Sequence, residues 1–345
     1  MAEEQKQTRL PRIDVILRRL IPIVCIGVLG NLAFSWYTTD KGKLLDWSAF
    51  SWGYLFLACG LSLLPWFWHA LRIYIWSRFF GIPISPLNLL RIVVATDVGG
   101  VVAPVAVGGA PFKMGMLMQQ GFQTGQAATL TLLGHLEEAV FFLSIIPVSL
   151  VLTRPWENPL WQRVGAFADA HAVALLSGLA VLTALVVLVK KTPYFRRFFH
   201  GRVNRSERLQ MMVADFRHAI RLVYNKGRKP FMFSMLAIIG QWMSRFAILI
   251  AVLMALGLEV DFFKIFFLQW MVFVAMLFVP TPGGTGGAEA AFLLVFSNLI
   301  PRAAVGPAMA GWRLITYYFM LLVGVGLLFI TARQQAAQAL RPEID

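Results

Sequence analysis

The chain has 345 residues, 58% of them hydrophobic, with a mean hydropathy of +0.69. That is too apolar for a soluble domain and points to a polytopic membrane protein built as one membrane domain. The formal net charge is +14, and the two cysteines, Cys25 and Cys59, both lie in apolar runs, so no disulfide framework is implied.

Taken in order, six apolar runs are long enough to span a bilayer. They are about Ile16 to Tyr37, Ser51 to Trp76, Ala127 to Leu152, His171 to Val189, Phe231 to Leu256 and Ala303 to Thr331. The first follows a polar N-terminus without a small-residue cleavage site, so it is expected to be a retained anchor. Two further stretches are interrupted. Leu87 to Gln120 breaks at Pro104 to Pro111, and Phe262 to Leu299 breaks at Pro280 to Gly287. Their halves suit re-entrant hairpins better than full crossings. The second break reads V-P-T-P-G-G-T-G-G-A-E from Val279 to Glu289. Two prolines lack backbone N–H groups and four glycines permit turns, so the helix is expected to stop and restart at about Ala288.

Charge sets an expected orientation. Residues 190–229 carry twelve lysines and arginines against Glu207 and Asp215 only. The positive-inside rule makes this loop cytoplasmic, and six spans then place both termini inside, as expected for a bacterial inner-membrane protein. The loop lacks a nucleic-acid-binding module. Its expected partner is an anionic lipid surface, with Arg205 to Tyr224 as a surface amphipathic helix.

An offset of 176 residues brings the two interrupted stretches into register. Gly81 falls on Gly257, Pro104 on Pro280 and Gly108 on Gly284. The span–hairpin–span plan also repeats, as about 51–152 and 231–331. Three crossings separate the units, so an all-α inverted repeat of the kind found in transporters is expected. The offset also pairs His69 with Arg245, Lys113 with Glu289 and Glu137 with Arg313. Arg72, Asp97, His135 and Glu138 lie near the same apolar layer. Ionisable groups there are costly unless paired or hydrated, which makes each a functional candidate; the structural alternative is ion pairing that holds the halves together. Glu137 is expected to meet Arg313, and Glu289 to meet Lys113. The 11 Trp and 28 Phe are expected mostly at lipid-facing and interfacial positions.

The P-T-P-G-G-T-G-G-A-E run at 280–289, the A-P-V-A-V-G-G-A-P-F-K run at 103–113 and the basic loop between them resemble the lysylphosphatidylglycerol synthase transmembrane-region family. The resemblance covers about Ile16 to Arg333. It implies translocation or handling of a lipid between leaflets, without naming the lipid. The synthases carry an additional soluble domain, so aminoacylation is not expected of this chain.

Signals for an enzyme are poor. There is no G-x-x-x-x-G-K-[ST] loop, no H-E-x-x-H and no Cys/His cluster, so no cofactor or metal is expected. Glu137 and Glu138 point about 100° apart on a helix and are not a facing acid–base pair. The expectation is a flippase-like transporter whose anionic headgroup is held by Arg245, Arg313 and Lys113. Backbone at Gly109, Gly284 and Gly287 would assist, at helix N-termini. Glu137, Glu138 and Glu289 would balance charge or carry protons. A membrane-embedded transferase acting on a lipid phosphate, or a structural subunit, remains the alternative.

Overall fold

The computed structural model describes residues 50–102, 109–154, 177, 207–276, 284 and 286–339. The expected spans Ile16 to Tyr37 and His171 to Val189, residues 190–206 of the basic loop, and the motif residues 103–108, 279–283 and Thr285 lie outside the described residues. Within them all regular structure is helical, as expected of a polytopic all-α membrane protein. Among the described residues, four helices have the length and apolar composition to cross a bilayer.

Helix α1 (Trp52–Phe79) leads into two short helices, α2 (Pro86–Val102) and α3 (Gly109–Gln119), and then into α4 (Thr124–Thr153). An amphipathic helix, α5 (Glu207–Lys226), precedes α6 (Arg228–Ala255). Two more short helices follow, α7 (Phe262–Met276) and α8 (Gly287–Phe296). The last long helix begins as α9 (Arg302–Arg313), widens into a π-helical turn at Leu314–Phe319 and continues as α10 (Met320–Ala339). At 1.5 Å per residue, α3 and α8 are each only about 15–17 Å long, half a bilayer core.

The helix bounds recur at the sequence offset. Adding 176 to α1 gives 228–255, the bounds of α6, and adding it to α2 gives the start of α7. The largest interhelical contact joins α1 to α6, the two members of one such pair. Around it α2 packs on α3 and α7 on α8.

Backbone chemistry explains the short arms. A Cβ on Gly109, the first residue of α3, would collide with the carbonyl oxygen of Thr96 in α2, so only glycine lets the two arms meet there. Gly286 has φ +85°, a left-handed conformation that turns the chain into α8.

The helix restarts at Gly287, in line with the expected restart at about Ala288. Five indoles, those of Trp66, Trp76, Trp242, Trp270 and Trp312, are buried, away from the lipid-facing and interfacial positions expected for most of the aromatic residues. Three of these indoles donate hydrogen bonds to Asp97, Glu137 and Ser149 inside the protein, which rewards burial over an interfacial position.

Candidate functional site

A cavity of about 870 Å³ opens between the helices of both units. Its wall carries four cationic side chains, Arg72, Lys113, Arg245 and Arg313, and two carboxylates, Asp97 and Glu138. His69 and His135 also line it, as do Gly109 and Gly284. The expected site residues Arg245, Arg313, Lys113, Gly109, Gly284 and Glu138 are thus brought together. Glu137, Glu289 and Gly287 stand behind the wall, each of them buried.

Arg72 is held by four hydrogen bonds. Its Nε and Nη2 donate to Glu137 Oε2 at 3.0 and 2.7 Å. Nη2 also donates to the Gly134 carbonyl at 3.0 Å, and Nη1 to Gln241 Oε1 at 3.0 Å. One guanidinium therefore links α1, α4 and α6. Glu137 accepts a further bond from Trp76 Nε1 at 2.8 Å. With 3% and 1% relative exposure, Arg72 and Glu137 form a buried pair whose remaining capacity is spent on neutral partners.

In the second unit the buried pair is Arg313 with Glu289, Nε to Oε1 at 2.8 Å. Glu289 Oε2 also accepts from the Gly286 N–H at 2.7 Å. Arg313 packs over the Tyr317 ring, 5.0 Å from its centroid, at the entry to the π-helical turn.

These contacts overturn both pairings drawn from the offset. Glu137 meets Arg72 instead of Arg313, and Glu289 meets Arg313 instead of Lys113. Residues that an internal repeat makes equivalent are not obliged to touch. Each charge takes the nearest partner on its own unit. At the start of α8 the Glu289 carboxylate satisfies the Gly286 N–H through this capping bond and places a negative charge in the first turn.

Two cations differ from these. Lys113 Nζ approaches His69 Nε2 at 3.4 Å and has no carboxylate within 4 Å among the described residues. Arg245 also lacks a carboxylate at that distance among the described residues. Its Nε is buried without a hydrogen-bond partner, and its guanidinium lies over the Trp242 ring, 5.5 Å from the centroid. Asp97 is held by Trp66 Nε1 at 2.8 Å, and Glu138 lies 3.6 Å from Arg72 and 3.8 Å from His135. Gln241 and the ring of Trp242 carried no signal in the sequence, since uncharged residues in an apolar helix read as packing.

The family model for the lysylphosphatidylglycerol synthase TM region matches residues 20–324. The chain belongs to this family. It is also 25% identical, over 315 residues, to the UPF0104 membrane protein of Archaeoglobus fulgidus, a match that covers 87% of this chain and 94% of that protein. Every cavity-lining residue, from Ser62 to Leu321, falls inside the region matched to the synthase TM family. The cavity is therefore built from the family domain itself.

Proposed function

We propose that the protein is a flippase-like transporter that holds the anionic headgroup of a phospho- or glycolipid in this cavity as it passes between leaflets. The observation that supports this most directly is Arg245. A guanidinium with a buried, unpartnered Nε beside a cavity is costly unless an anion or ordered water satisfies it. Guanidinium suits a phosphate because its donors form a planar fork. Lys113, on the wall of the same cavity, supplies a second positive charge. Arg313, clamped by Glu289, sets the electrostatic background. Asp97 and Glu138 are then the groups positioned to balance or carry charge.

The short arms α2–α3 and α7–α8 act in this reading as re-entrant hairpins of an inverted repeat, with the basic loop and both termini on the cytoplasmic side. Helix α5 would rest on anionic lipid. Arg217, Arg221 and Lys226 are exposed beside Ile220 and Tyr224, the mixture that favours an anionic interface. The reading assigns no chemical step.

The test is reconstitution of purified protein in vesicles with fluorescent phosphatidylglycerol. Wild type is expected to equilibrate the label across leaflets without changing its mass, and Arg245→Gln to slow this by about tenfold or more, the scale of one charge-assisted contact. Conversion of the lipid to a new product by the protein alone would instead establish the transferase reading.

A further inference from the structure

The cavity is bounded on one side by α4 and α7, and these helices are joined in an uneven way. On α4 one helical stripe runs Glu138, Phe142, Ile146, Ser149, with the spacing of a single face. On α7 the stripe runs Phe267, Trp270, Val274. At one end the two stripes are clasped. Ser149 Oγ donates to the Phe267 carbonyl at 2.7 Å and accepts from Trp270 Nε1 at 2.8 Å. At the other end Phe142, Ile146, Phe273 and Val274 all face the cavity. Ala139 and Leu143 line the cavity and yet are exposed on the outside of the molecule, Leu143 to 73%.

A residue that touches both an internal cavity and the outer surface marks an opening. Here the outer surface belongs to a membrane-crossing helix, so the opening faces acyl chains and not water. Ala139 and Leu143 are apolar, while Arg72 and Lys113 lie deeper in the cavity, both buried. We infer that the seam between α4 and α7, beside Ala139 and Leu143, is a lateral portal. Through it the ligand enters from the bilayer, its headgroup in the cavity and its tails left in lipid. The inference rests on the anion-site reading above. It adds the side by which the lipid arrives.

The experiment compares two probes on detergent-purified protein: dioleoylphosphatidylglycerol, and glycerol 3-phosphate as a tail-less headgroup. Binding is read by native mass spectrometry for the lipid and calorimetry for glycerol phosphate. Ala139→Trp and Leu143→Trp place a bulky ring on the rim. Both side chains are exposed, so the fold should accept the change. Each is expected to weaken the lipid by about tenfold and leave glycerol phosphate unchanged. Leu136→Trp, on the same helix, exposed and away from the cavity wall, is expected to alter neither. Arg245→Gln is expected to weaken both. The portal is overturned if the rim variants weaken both probes equally or neither, or if Leu136→Trp acts as they do. If wild type binds neither probe, the anion-site reading itself has failed.

Discussion

Lys113 on α3 and Glu289 on α8 occupy the same place in the two units, 176 residues apart, yet they meet opposite fates. Glu289 is locked to Arg313 and to the backbone of its own helix start. Lys113 faces the cavity, its Nζ 3.4 Å from the imidazole of His69 and without a carboxylate within 4 Å among the described residues. The carboxylate that could have neutralised it, Glu137, is taken by Arg72. One short arm is thus fastened to the span behind it by a buried ion pair, and the other presents its charge. The π-helical turn adds to the contrast. It follows Arg313 in the second unit, while the corresponding stretch of α4, 138–143, is continuous α-helix. The contrast is one of the short arms: α8 is tied back to its own unit, while α3 turns its charge to the cavity.

The contrast can be broken most forcefully at Glu289. Glu289→Ala removes the partner of a buried guanidinium and the cap of α8, and is expected to destabilise the protein by about 3–5 kcal/mol. Thermal unfolding in detergent measures this. The double variant Glu289→Leu, Arg313→Met leaves no buried charge unpaired and should recover most of that loss, while transport stays impaired. Next comes Glu137→Gln. Arg72 keeps its bonds to Gln241 and Gly134, so the expected cost is smaller, about 1.5–3 kcal/mol by the same measurement. The smallest effect on stability belongs to Lys113→Met, expected within about 1 kcal/mol of wild type because no partner is stranded. That variant should still transport poorly. If it unfolded as readily as Glu289→Ala, the two arms would be equivalent after all.

Much of this was legible in the sequence, for identifiable reasons. Span positions follow from runs of apolar residues, and the described helices fall within a few residues of them. The offset of 176 came from a handful of glycines and prolines, and the helix bounds repeat with it. The buried charges were visible because nothing else in an apolar helix is so costly. Their partners were not. Arg72 and Glu137 are 65 residues apart, and only the packing of α1 and α4 on the shared helix α6 brings them to 2.7 Å. The role of Gln241 was equally hidden, because a lone amide carries no sign of what will donate to it. Of the second-motif glycines read as ligand-binding backbone, Gly284 lines the cavity and Gly287 is buried behind its wall.

The bond network of Arg72 has a mechanical consequence. The α1–α6 contact behaves like the spine of a book, stitched by a guanidinium whose bonds to α4 and α6 would all have to be given up for the leaves to part there. The seam between α4 and α7 is held at one end by the single hydroxyl of Ser149. Two neutral hydrogen bonds are worth only about 1–3 kcal/mol. The polar stitching is therefore dense along one margin and sparse along the other, where the apolar side chains of Phe142, Ile146, Phe266 and Phe273 do the joining.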